Sequence, residues 1–191
     1  MIFYATRDTM QRFNLKPSNE MTSEIAPFAQ AVVKRERGNP LYEWGCKLFY
    51  FDRRKCLQMM HFESRLAVLL FDIKQSEIVY AADAVARYAL EAYAGDRAMV
   101  AALKAYYDSS PLVCFERLTD RSVIGSMNQL QLEWGFERIA DYIENGVLMS
   151  RKINREINER PVSRRVNGRE EWFKPFERFK SLIKAQFPAQ S

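Results

Sequence analysis

Two groups of residues in this chain carry recognisable chemistry, and they lie far apart in sequence. The first is Cys46 with His61, the single histidine. A thiol beside an imidazole is the minimum of a nucleophile–base pair, provided the fold brings the two together. The second is a basic run near the C-terminus, where Arg164, Arg165 and Arg169 precede Trp172, Phe173 and Lys174. Guanidinium groups beside aromatic platforms suit phosphate contact combined with base stacking. A smaller candidate is Arg53-Arg54, inside the charged turn Asp52-Arg53-Arg54-Lys55, which would offer an anion two cations at one tip. Each has a plainer counterpart. Cysteine and histidine on an apolar strand face commonly serve as buried packing residues. Arginines solvate an edge hairpin and discourage edge-to-edge association, and an Asp52–Lys55 pair across the turn would leave Arg53 and Arg54 in water.

Other chemistries find little support. One histidine disfavours imidazole-based metal sites and acid–base schemes. Cys46, Cys56 and Cys114 are odd in number and lack CxxC spacing, so neither a disulfide framework nor a zinc knuckle is expected, and a reducing cytoplasm fits. Asp72-x-Lys74 is half of a metal-dependent nuclease pattern without the upstream carboxylates, and neither GxxxxGK[ST] nor GxGxxG occurs. No metal and no cofactor is expected. Apolar runs such as residues 66–71 are far too short to cross a bilayer, and the opening residues meet charge at Arg7 and Asp8 before a signal-peptide core could form. The expectation is a soluble, non-exported protein without membrane contact.

The elements that must position these groups are legible in the periodicity. The chain has 191 residues, 48% of them hydrophobic, and a formal charge of +5. That suffices for one sizeable core. From residue 151 onward there are eleven Lys/Arg against five Glu, so the excess positive charge sits in the last fifth of the chain. Residues 44–73 read as three successive strands. If the charged turn closes a four-residue or a centred two-residue loop, paired positions sum to 107, and Cys46 then faces His61 directly. One face carries Cys46, Leu48, Tyr50, Leu57, Met59 and His61; the other carries Lys47, Phe49, Phe51, Cys56, Gln58, Met60 and Phe62. Both are substantially apolar, so both should be covered.

Around that nucleus, helices are predicted over 9–13, 23–37, 76–93, 97–107, 120–132 and 136–143, with Pro17, Gly38-Asn39-Pro40, Gly95-Asp96, Ser109-Ser110-Pro111 and Asn145-Gly146 as stops. Residues 147–160 are ambiguous between helix and strand. Asn167-Gly168 between two β-rich runs predicts a type I′ hairpin over 162–173, and Pro175 opens a terminal helix with the apolar stripe Phe176, Phe179, Ile183 and Phe187. That stripe is expected to pack within the molecule. The fold class is α+β: a mainly antiparallel sheet from the segments 1–6, 46–51, 56–62, 66–73 and 112–118, packed by several helices. Residues 1–146 form the core domain, and residues 147–191 a basic hairpin-helix extension packed on it.

Glu43-Trp44 with Lys47-Leu48-Phe49-Tyr50-Phe51-Asp52-Arg53-Arg54-Lys55-Cys56, the opening Met1-Ile2-Phe3-Tyr4-Ala5-Thr6, and the stretches Leu118-Thr119-Asp120-Arg121-Ser122 and Val166-Asn167-Gly168 together resemble a bacterial family of small proteins of unknown function. The resemblance spans nearly the whole chain. It implies an α+β, cytoplasmic, uncharacterised protein and carries no catalytic residues. Three functional expectations follow from the residues themselves. The foremost is a non-catalytic module that binds nucleic acid or another polyanion through Arg53, Arg54, Arg164, Arg165, Arg169, Trp172 and Lys174. The others are a protein-interaction or homo-oligomeric regulatory module, such as a homodimer, and an enzyme built on Cys46 and His61.

Overall fold

The hairpin of Glu43–Phe51 (β2) and Arg54–His61 (β3) is the longest ladder of the fold. A computed structural model describes residues 1–166 and 168–188. Within it, Ile2–Ala5 (β1) leads through helix Arg7–Phe13 (α1) and helix Ala26–Glu36 (α2) to β2 and β3, then to Ala67–Leu70 (β4). Helices Ala81–Ala92 (α3) and Arg97–Ser109 (α4) precede Cys114–Arg117 (β5), and Arg121–Glu133 (α5) and Phe136–Ala140 (α6) follow it. A two-residue-per-strand hairpin, Ile143–Glu144 (β6) and Val147–Leu148 (β7), leads to Ser150–Glu159 (α7). Val162–Val166 (β8), Arg169–Phe173 (β9) and Pro175–Gln186 (α8) complete the described chain.

The main sheet has the order β4-β3-β2-β1-β5. Its β2-β3-β4 half is antiparallel, whereas β1 pairs in parallel with β2 and with β5. The α+β class holds, with a parallel element that local sequence did not announce. One face buries Phe3, Trp44, Cys46, Leu48, Leu57 and Met59 under α1, α3, α4 and α8; the other buries Cys56, Met60, Ala67 and Leu69 under α5, α6 and α7, and Ile2 under α2. Close approach of α5 depends on Gly45, where an added Cβ would meet Met127 Sδ at 2.8 Å and Val123 Cγ1 at 3.0 Å. The terminal helix is no satellite: Phe179 and Ile183 lie fully buried among Trp44, Tyr106 and Leu103, as the apolar stripe predicts.

The hairpin register departs from expectation by two residues. Phe51 pairs with Arg54 and Cys46 with Met59, because Asp52 and Arg53 alone make the turn, at φ 48° and 62°. Two consecutive left-handed residues are the type I′ geometry that matches strand twist. A shift of two preserves each side chain's face, so the two-faced division of the hairpin stands while its cross-strand partners change. The expected Asp52–Lys55 pair is replaced: Arg54 reaches Asp72 at 2.8 Å, and Lys55 lies over the Phe13 ring.

Helix boundaries moved for local reasons. Thr6 caps α1 through Thr9 N, so the helix starts at Arg7, two residues earlier than predicted. The stretch after Lys74 starts as a 3-10 turn, Gln75–Tyr80, held by Lys74 N donating to Glu77 Oε2 at 2.8 Å. Asn145 and Gly146, read as a helix stop, instead form the left-handed turn between β6 and β7. Residues 150–159 are helical, resolving the ambiguity there. The β8-β9 hairpin has the predicted place and register; Gly168 sits at φ 78°, and the Asn167 half of the turn lies outside the described residues.

One edge of the sheet is closed by side chains rather than by a strand. Asn158 Oδ1 accepts from Ala67 N at 2.8 Å while its Nδ2 donates to Ala67 O at 2.6 Å. Asn154 does the same at Leu69, with 2.7 and 3.0 Å. Carboxamides one helical turn apart thus satisfy alternate residues of β4, which caps an edge that would otherwise template association.

Candidate anion-binding cleft

Cys46 and His61 share a face but are not opposite each other: Cys46 faces Met59, and His61 faces Trp44. Both are fully buried. Burial pushes the Cys46 thiol up to about 12 and holds the His61 imidazole down at about 4, so neither is poised as nucleophile or base near neutrality. His61 has a structural occupation. Its Nδ1 accepts from Ser64 N at 3.2 Å and contacts Ser64 Oγ at 2.9 Å, which leaves Nε2 to carry the proton toward Leu41 O at 3.1 Å. The ring lies edge-on to Trp44 and Phe179. His61 therefore ties the β3-β4 turn to the entry of β2.

Most cations of the basic segment are paired, many of them with carboxylates of the preceding body. Arg151, Lys152, Arg155 and Arg160 pair with Glu91, Glu144, Glu159 and Glu156, and Lys180 and Lys184 both reach Asp96. Arg164 and Arg178 bracket Glu63 at 2.6 and 2.7 Å and Glu171 at 3.0 Å each, with both guanidiniums above the Phe173 ring. This four-charge cluster fastens the β8-β9 hairpin and α8 to the β3-β4 turn, and it holds the Glu63 carboxyl down at about 2 even though partial burial opposes ionisation. Arg164 is therefore a fastening residue. Arg165, which faces Glu170 in the ladder, Arg169 and Lys174 are exposed and make no ion pair among the described residues. Trp172 stands on the same outward face as Arg165 and is 65% exposed. At the other end of the molecule, Arg53 is exposed at its turn apex and Arg54 is held by Asp72.

Below Trp172 lies a cleft of about 470 Å³ between α5, α7 and the hairpin, lined among others by Arg65, Ser126, Leu130, Trp134, Arg160 and Trp172. Arg65 was not singled out from the sequence. It sits in the β3-β4 turn at φ 57°, anchored by its N–H donating to His61 O, and is only 6% exposed. Its guanidinium donates to Phe62 O and, at 2.8 Å, to Ser122 Oγ in the first turn of α5, while Nε is buried with no partner. No carboxylate lies within ion-pair distance of it among the described residues, and burial lowers its affinity for its own proton. The only sequence signal was a charged residue in Glu63-Ser64-Arg65 immediately before an apolar strand.

A second cleft, about 520 Å³, lies beside β1 and β5 and is lined by Tyr4, Glu20, Arg37, Glu116 and Arg117. Its groups are already matched. Glu116 takes Ser18 N, Ser18 Oγ and Arg37, and Arg117 takes Glu20. Tyr4 donates to Glu43 at 2.8 Å, and burial first, then this carboxylate, raises its phenol above the ordinary range. Among the described residues no group of three or more His, Cys, Asp or Glu is placed to hold a metal ion, and no helix is long and apolar enough to cross a membrane.

The architecture is thus α+β, with a C-terminal helix that joins the sheet's cover and a hairpin fastened to the β3-β4 turn by ion pairs. A model for a domain of unknown function, DUF6933, matches residues 2–178, and the chain belongs to that family. The match runs from β1 through the hairpin into α8, in keeping with the resemblance read from the motifs. No curated protein and no solved structure matches the chain.

Proposed function

We propose that this protein is a non-catalytic module that binds a single-stranded nucleic acid or a comparable polyanion along its C-terminal hairpin, in a reducing, cytoplasmic setting. The observation that carries this reading is a hairpin region that leaves Arg165, Arg169 and Lys174 exposed and without ion-pair partners among the described residues, with Arg165 on the same strand face as the exposed Trp172 and Arg169 on the opposite one. The pairing of the other cations narrows the surface from the whole segment to this hairpin. Three phosphate contacts to a single strand predict a slope of log K against log salt of about −2, shallow beside that of a broad basic groove. Arg53 offers an additional, remote contact. The buried free thiols Cys46, Cys56 and Cys114 support the compartment.

Titration of a labelled oligothymidylate against the protein at several salt concentrations tests this. Loss of at least about tenfold in affinity is expected for Arg165→Ala/Arg169→Ala/Lys174→Ala, and a smaller loss for Trp172→Ala. Absence of binding at low salt, or binding indifferent to these substitutions, refutes it. The exposed Ile25 and Phe28 on one side of the α2 start favour a second reading, a homo-oligomeric or protein-docking module. A concentration-independent monomer mass by light scattering argues against self-association.

A further inference from the structure

We propose that the cleft between α5, α7 and the β8-β9 hairpin is a second site, sharing Trp172 with the hairpin surface but independent of its cations, for a small organic oxyanion, a phosphate or carboxylate group received by Arg65, with a planar body lying against Trp172. The inference starts from an imbalance. A guanidinium removed from water needs a compensating anion or a complete set of acceptors, and Arg65 has neither: two neutral acceptors engage it, and Nε has none. Both carboxylates whose fields reach it are committed elsewhere. Asp120 caps α5 by accepting from Val123 N at 2.8 Å, and Glu63 holds Arg164 and Arg178. Arg178 shares an unpartnered Nε, but both of its terminal nitrogens rest on carboxylates.

The surroundings fit such a ligand. Ser122, which accepts from Arg65 and so fixes its guanidinium, stands behind the cleft in the first turn of α5, whose N-terminus is capped by Asp120. Trp172 and Leu130 supply apolar surface, and Arg160, stacked over Trp134 and paired with Glu156, adds a cation at the rim. Glu133 is the acidic residue lining the cleft, and it is engaged by Gln129 at 2.8 Å. A planar guanidinium reads a phosphate or carboxylate in a fork, and stacking places the organic body.

Calorimetric titration of the full chain with phenyl phosphate, benzoate and inorganic phosphate separates the sources. Saturable binding of phenyl phosphate or benzoate in the millimolar range or tighter, with inorganic phosphate weaker, is expected. Preference between the first two identifies the head group. Arg65→Asn, which keeps a residue tolerant of the left-handed backbone while deleting the guanidinium, should weaken binding about ten- to a hundredfold. Trp172→Ala should weaken the aromatic ligands and leave inorganic phosphate unchanged. Ser122→Ala gives a milder loss and serves where Arg65→Asn does not fold. The hairpin variant Arg165→Ala/Arg169→Ala/Lys174→Ala retains this binding, whatever its effect on oligonucleotides. No saturable binding by any probe, or affinities unchanged in Ser122→Ala and Arg65→Asn, overturns the proposal.

Discussion

Glu63 and Arg65 are two residues apart in the same turn, yet their surroundings are opposites. Glu63 is bracketed by Arg164 and Arg178, which share Glu171 in turn. On the other side, β4 has its backbone polar groups answered by Asn154 and Asn158. Arg65, in the same turn, has no carboxylate in ion-pair contact among the described residues and keeps an unpartnered Nε. Satisfied networks rigidify a fold and reveal little about ligands; a buried guanidinium with no carboxylate in ion-pair contact, at the wall of a cleft, marks a place where an anion can bind.

Acid should expose the satisfied side most strongly. Burial holds His61 near 4 against an ordinary 6.5, so the unfolded chain takes the proton first. Its contribution is full above pH 6.5 and declines as pH falls toward 4, with a loss of about 3 kcal/mol at most. Glu63, held near 2 against 4.5, contributes fully above pH 4.5 and loses that contribution as pH falls toward 2. Denaturant melts between pH 7 and 3 should show two successive declines, with His61→Gln removing the upper one. A flat profile would mean that neither group is shifted as described.

Asn158→Ala removes both hydrogen bonds to Ala67 and strands its buried N–H and C=O. A cost of about 2–3 kcal/mol is expected by chemical denaturation, together with faster hydrogen exchange at Ala67. Glu63→Gln leaves Arg164 and Arg178 with Glu171 alone, at about 2 kcal/mol; this is less than for a fully buried pair because the cluster retains some solvent access. The smallest effect belongs to the under-satisfied side. Arg65→Asn should change the stability of the ligand-free protein by no more than about 1 kcal/mol in either direction, since the loss of two hydrogen bonds is offset by removing a buried charge and easing a left-handed residue. A loss as large as that of Glu63→Gln would make Arg65 another structural fastener and erase the contrast.

Much of this was legible from residues in order. Turn chemistry located both long hairpins, alternation assigned the two buried faces of β2 and β3, and the spacing of Phe179 and Ile183 marked the face of α8 that enters the core. Register failed by two because the local sequence Asp52-Arg53-Arg54-Lys55 is compatible with several turn lengths, and twist chose the tightest. The parallel insertion of β1 between β2 and β5 could not be read, since pairing across tens of residues leaves no local periodicity. Arg65 looked like any turn arginine, and Asn154 and Asn158 like ordinary polar helix residues, until the elements they touch were in place.

The sequence by itself therefore determined the class of fold, the two-sided core, the basic character of the C-terminal segment and membership of a recognisable family, because all of these depend on composition and short-range spacing. Only the tertiary structure decided which charges are spent and which are free. Ion pairing is a property of distance between remote residues. It neutralised Arg164 through Glu63, left Arg165, Arg169 and Lys174 exposed, and enclosed Arg65 without a counter-ion.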